Sequence, residues 1–148
     1  MEIIQDNRKV RFDYEIVETF EAGLALTGSE VKSLRQKNVQ LKDSYVVFKS
    51  DEAYLQNAHI AEYKMGSYNN HAPERLRKLL LHRQEINKIY SALREKGFSC
   101  VPTKIYFKKN KIKIEIALVK GKKVHDKRQA IKKRDVQNQI RQTLRHSK

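Results

Sequence analysis

The sequence predicts a mainly β fold with flanking helices, followed by a basic C-terminal tail. Three observations carry that reading. Apolar and polar residues alternate at period two through several short segments, most plainly from Phe98 to Val119. The longest stretch of helical spacing is a single one, from about Pro73 to Lys96. Charge, finally, is segregated: residues 1–103 hold 16 basic and 14 acidic side chains, whereas residues 104–148 hold 16 basic and 3 acidic ones.

Taken in order, residues 1–11 are polar apart from Ile3 and Ile4 and read as a loose start. From Phe12, aromatic and β-branched residues predict two strands or one long bent strand, with Gly23 as a bulge or corner. Thr27 and Glu30 have capping-box spacing, which predicts a short helix from Gly28 to Lys37 with Val31 and Leu34 inward and Asn38 as a left-handed stop. Tyr45–Lys49 and Ala53–His59 alternate around Ser50-Asp51-Glu52 and predict a hairpin. Residues 64–74 read as a loop. Leu76, Leu79, Leu80, Ile86, Ile89, Tyr90 and Leu93 recur at helical spacing and predict a long helix ending before Gly97. Ile105 and Phe107, then Ile112, Ile114, Ile116 and Leu118, alternate with polar residues around Lys109-Asn110, which predicts a second hairpin with a tight turn. Five or six short strands with one helix at an end point to a closed β-barrel of the oligonucleotide-binding type over residues 1–120.

Residues 121–148 form the tail. Helix formers dominate, yet Val124, Ile131, Val136, Ile140 and Leu144 are too sparse to bury a face, so it is expected to be disordered when free and helical when bound to a polyanion. The chain carries 32 Lys and Arg against 17 Asp and Glu, a net +15, and nucleic acid is the partner such segregation points to. An anionic membrane is the weaker candidate and no membrane partner is expected, because no apolar run approaches the roughly 20 residues of a spanning helix and the tail lacks an interfacial apolar face. A single cysteine, Cys100, and the lack of a signal pattern at the N-terminus fit a reducing cytoplasm. The five scattered histidines have no metal-ligand spacing, and no cofactor motif, phosphate loop or nucleophile elbow is present. A non-enzyme is expected. Tyr14, Phe20, Tyr45, Tyr54, Tyr63, Tyr68, Tyr90 and Tyr106 are candidate faces for stacking unpaired bases, though most are expected in the core or rim. Leu81 stands at the boundary of the apolar run, beside Lys78 and His82.

Several longer motifs then agree. EAGLALTGSEVKSLR (21–35), LKDSYV (41–46), RKLLLH (77–82), EKGFSCVP (95–102) and GKKVHDKR (121–128) resemble, in order and spacing, those of the bacterial SsrA-binding protein family, small protein B. The resemblance implies an oligonucleotide-binding-type barrel that binds the tRNA-like domain of transfer-messenger RNA. It also implies delivery of that RNA to stalled ribosomes for trans-translation, the tail taking the empty decoding site and mRNA channel of the small subunit against its 16S rRNA. A monomer is expected. By motif position, Glu21, Leu80 and His82 fall on the RNA-binding surface. Lys122, Lys123, His125, Asp126, Lys127 and Arg128 fall at the joint engaging the decoding region, Lys132, Lys133, Arg134 and Arg141 at tail contacts to rRNA, and Thr143 and Leu144 in a segment needed for accommodation. The chain departs from the family at Phe12, where His is common, and at Ala72, where an Asp would cap the expected long helix. The alternative from the residues alone is a general single-stranded nucleic-acid-binding module.

Overall fold

The structure is a computed structural model that describes residues 1–63 and 70–121. Its strands are β1 (Glu2–Asp6), β2 (Tyr14–Leu24), β3 (Val39–Gln40), β4 (Tyr45–Lys49), β5 (Glu52–Gln56), β6 (His59–Ile60), β7 (Arg77–Leu80), β8 (Phe98–Lys108) and β9 (Lys111–Gly121). The helices are α1 (Lys9–Asp13), α2 (Gly28–Arg35) and α3 (Arg83–Leu93). Seven strands form one sheet in the order β1-β8-β9-β2-β7-β5-β4, and β3 pairs with β6 alone. All pairings are antiparallel. The expected closed barrel is therefore seen at a coarser level, as a mainly β, antiparallel body. Strand β4, at one edge, packs against β8, with no hydrogen-bonded ladder between them among the described residues.

Three eleven-residue strands, β2, β9 and β8, are the frame. The β8–β9 turn is the predicted one: Lys109 and Asn110 both take positive φ (50° and 63°), the geometry whose twist suits a two-residue hairpin. Ser50 and Asp51 do the same between β4 and β5, so β5 begins at Glu52. Alternation sends Phe20, Ala22, Ile105, Ile114 and Ile116 into the main core, where Leu34, Leu55, Leu79 and Ile89 join them. A second, smaller cluster of Val10, Val101, Ala117 and Val119 is covered by Tyr14 and Ile16.

Four expectations need correction. The N-terminus is not loose, because β1 pairs with β8 and buries Ile4. Residues 12–28 hold one long strand whose register shift falls at Val17, not at Gly23. The left-handed residue after α2 is Lys37, at φ 61°, not Asn38. The long helix is the largest change: Arg77–Leu80 is a strand and α3 starts only at Arg83. Leu76, Leu79 and Leu80 fit helical spacing, but β7 fills the slot between β2 and β5 in the sheet. Ala72 accordingly precedes no helix, and the backbone N–H of His82 at the true start donates to Glu85 Oε1 at 3.0 Å.

Candidate nucleic-acid interface

The capping box of α2 is present: Thr27 N–H donates to Glu30 Oε1 at 2.8 Å, and Glu30 N–H donates to Thr27 Oγ1 at 3.4 Å. Yet Glu30 does more than cap. It is fully buried and accepts from Arg75 Nε at 2.9 Å and Arg77 Nε at 2.5 Å. Burial opposes its ionisation, but the hydrogen bonds from Arg75, Thr27 N–H and Arg77 outweigh that and hold its carboxyl below the ordinary value. Arg77, also fully buried, donates to the carbonyls of Ala58 and Pro73 at 2.8 Å each, tying β7 to the segments on either side. His71, buried beside α2, hydrogen-bonds Ser29 Oγ at 2.7 Å and the Ile60 carbonyl at 2.8 Å. These groups are satisfied internally. They build the body rather than meet a ligand.

The outward face of β2, β9 and β8 is different. Glu21 is exposed on β2, and its Oε2 accepts from the Tyr106 hydroxyl at 2.5 Å and from Lys108 Nζ at 3.2 Å. These hydrogen bonds, Tyr106 first, hold the Glu21 carboxyl below its ordinary range. Glu21 stands directly opposite Glu115 of β9, a like-charged pair that costs stability unless each member has its own partners. Glu115 Oε1 accepts from Thr103 Oγ1 at 2.7 Å, and its other oxygen lies 3.8 Å from Lys104.

Two residues further along β2, Gly23 sits between Leu80 of β7 and Lys113 of β9. Leu80 is 53% exposed, and a Cβ placed on Gly23 would come within 3.3 Å of the Leu80 Cβ. Gly23 thus eases the close approach of Leu80 rather than providing a turn. Beside it lies a groove of about 400 Å³ lined by Leu26, Val31, Arg35, Leu80, Phe107 and Lys111. The Arg35 guanidinium lies 5.9 Å from the centroid of the Phe107 ring. An apolar floor with a cationic rim can take a base and the phosphate joined to it.

Of the expected site residues, the structure brings Glu21 and Leu80 onto one face, on adjoining strands β2 and β7. His82 follows two residues after Leu80, exposed at the head of α3. The remaining ones, Lys122, Lys123, His125, Asp126, Lys127, Arg128, Lys132, Lys133, Arg134 and Arg141, lie outside the described residues, as do Thr143, Leu144 and Tyr68. Leu81 is half-buried and packs on the core, so the exposed leucine of the run is Leu80. Among the candidate stacking rings, Phe20 and Tyr106 are buried, whereas Tyr45 and Tyr90 are exposed. Lys113 and Arg35 were not singled out in the sequence as site residues, and Tyr106 was named only as a candidate stacking face. The strand period that puts Lys113 beside Gly23 is legible only once the β2–β9 register is known.

Among the described residues, no group of three or more His, Cys, Asp or Glu is placed to hold a metal. None of their helices is long and apolar enough to cross a membrane.

Comparisons with known proteins agree with one another. The sequence pattern of the SmpB protein family matches residues 4–146. An SsrA-binding protein of Bdellovibrio bacteriovorus is 72% identical over 146 residues, covering 99% of this chain and 96% of that protein. One from Fervidobacterium nodosum is 49% identical and covers 100% of each chain. A solved chain described as "tmRNA-SmpB: a journey to the center of the bacterial ribosome" superposes with a TM-score of 0.68 at 48% identity, over 80% of this chain and 84% of that one. Matched in this way from its first strand through its basic C-terminal segment, the chain belongs to the SmpB protein family.

Proposed function

We propose that this protein binds the tRNA-like domain of transfer-messenger RNA and delivers it to stalled ribosomes for trans-translation, without making or breaking a bond itself. The observation that carries the proposal is family membership across both the β body and the basic segment. A sheet face with an apolar groove and a cationic rim is a suitable surface for unpaired nucleotides. Glu21, Leu80 and His82 belong to that RNA-binding surface, and the work is done in the cytoplasm by a monomer.

The body, residues 1–120, is read as an oligonucleotide-binding-type barrel that closes between β4 and β8. The packing of those two strands supports this, as does the cleft of about 460 Å³ lined by Tyr45, Val46 and Val47 on one side and Ser99, Cys100 and Val101 on the other. Residues 121–148 are the tail that occupies the empty decoding site and mRNA channel and becomes helical there. In it, Lys122, Lys123, His125, Asp126, Lys127 and Arg128 meet the decoding region, and Lys132, Lys133, Arg134 and Arg141 meet rRNA.

Binding of the whole chain to transfer-messenger RNA and to an ordinary tRNA, at about 50 and 200 mM salt, tests the recognition step. A contact made only of phosphate neutralisation loses about 10³–10⁵ in affinity across that range for six to ten phosphates. The expected outcome is a preference for transfer-messenger RNA that persists at the higher salt. Equal loss on both RNAs would favour a general single-stranded nucleic-acid-binding module instead. Ending the chain after Gly121 is expected to spare RNA binding and abolish ribosome rescue.

A further inference from the structure

Glu21 poses a chemical problem. It is a carboxylate on the face of a +15 protein that meets a polyanion, where a bare carboxylate repels phosphate. The fold nevertheless keeps it ionised and sets it opposite a second carboxylate, Glu115. What fixes it is Tyr106, which stands on β8 with β9 lying between it and β2. The Tyr106 ring therefore crosses a strand to bring its hydroxyl to 2.5 Å from Glu21 Oε2. That ring is only 3% exposed, so it has no alternative place to go. Burial, and then the bond to Glu21, pushes its phenol well above the ordinary range, so the hydroxyl keeps its proton and donates throughout the working pH range.

An ionised carboxylate has about four acceptor positions on its two oxygens. Tyr106 and Lys108 occupy some of them, on Oε2 and in part Oε1, and the exposed side remains for another donor. The neighbouring position on the same face is Gly23, over which the side chain of Leu80 lies, 53% exposed, so an apolar surface faces outward beside Glu21. A flat ring can lie there with its edge toward Glu21. Among unpaired bases, guanine alone presents two adjacent N–H donors, N1–H and the N2 amine, which match two carboxylate oxygens. Cytosine and adenine present one amine beside an acceptor nitrogen, which the carboxylate repels.

We infer that Tyr106 is a positioning residue, holding Glu21 as a fixed acceptor that reads the Watson–Crick edge of an unpaired guanine. This rests on the RNA-binding function proposed above and adds a specificity element to it.

Kethoxal, which modifies unpaired guanine at N1 and N2, tests it on full-length protein bound to a transfer-messenger RNA transcript. Wild type should protect at least one guanine that becomes reactive in the Glu21→Gln complex and partly reactive with Tyr106→Phe. Affinity should fall by about 10- to 100-fold for Glu21→Gln, the range for losing a charge-assisted hydrogen bond, with an unchanged salt slope. Phenylalanine keeps the buried ring, and circular dichroism checks that each variant is folded. If Tyr106 acts through Glu21, the double variant binds no more weakly than Glu21→Gln alone. Additive losses would overturn the positioning role, and a bound wild type that protects no Glu21-dependent guanine would overturn the base reading while leaving the functional proposal intact. A folded wild type that does not bind the RNA would overturn both.

Discussion

Two carboxylates in this molecule are held below their ordinary range by hydrogen-bond donors, and they serve different ends. Glu30 is fully buried between Arg75 and Arg77, and each of its oxygens is taken by the protein. Glu21 is exposed, and its two internal donors leave acceptor capacity facing outward. Similar chemistry thus yields a fastener in one place and an acceptor still open to solvent in the other. What separates them is which side the unsatisfied capacity faces, not the size of the pKa displacement.

The largest effect expected from that contrast is on stability. Arg77→Met leaves Glu30 with Arg75 and the Thr27 N–H, and Glu30→Ala leaves two arginines without their anion. Breaking a buried pair by removing one partner costs about 3–5 kcal/mol. Urea unfolding should show a midpoint drop for both, with RNA affinity per folded molecule unchanged. A small drop would mean that water reaches the cluster and would dissolve the distinction.

A smaller effect is expected with pH. The folded Glu30 carboxyl lies below its ordinary value of 4.5, so its contribution is fully present above that value and is lost as pH falls through the lowered one. Unfolding measured from pH 7 down to pH 3 should therefore show an acid-side loss that is shallower in Glu30→Gln. Glu21→Gln should do the reverse of the Glu30 variants, leaving the melting temperature close to wild type while weakening RNA binding. Gly23→Ala should have the mildest effect. Its Cβ would meet Leu80 Cβ at 3.3 Å, so Leu80 must give by a few tenths of an ångström, while the unfolded chain loses some freedom. Stability should change by under about 1 kcal/mol, and binding should weaken if the displaced Leu80 surface is where the base lies.

How far the sequence revealed all this depended on whether the deciding interaction was local. The β8–β9 hairpin was legible because alternation and Lys109-Asn110 lie within one segment. Helix α2 was legible for the same reason, since Thr27 and Glu30 are three residues apart. Strand β7 was not, because its two leucines, Leu79 and Leu80, fit a helical stripe with Leu76 as well as a short strand, and the choice is made by β2 and β5 on either side. Strand β1 was missed because its pairing partner lies at the far end of the body. Among the candidate site residues, Glu21, Leu80 and His82 were named through motif resemblance. Tyr106 was counted only as one aromatic among eight, because its hydroxyl meets Glu21 across β9 and no sequence interval encodes that meeting. Arg77 and Glu30, as charged residues, gave no sign that they would be buried.

The order in which the strands occur has a consequence for how the molecule is made. Glu2 pairs with Phe107 and Tyr14 with Gly121, so both N-terminal strands of the frame wait for partners synthesised near the end of the body. At about 5–20 residues per second, β2 spends several seconds without its β9 ladder. Such non-local pairing also places folding on the slower side of the known range. The apolar inward row of β2, Phe20, Ala22 and Leu24, is then open to wrong pairing, while Glu15, Glu18 and Glu21 along the same strand keep like edges apart by charge. Charges so placed on an unpaired strand are of the kind that discourages edge-to-edge association, before any of these glutamates meets a partner in the finished fold.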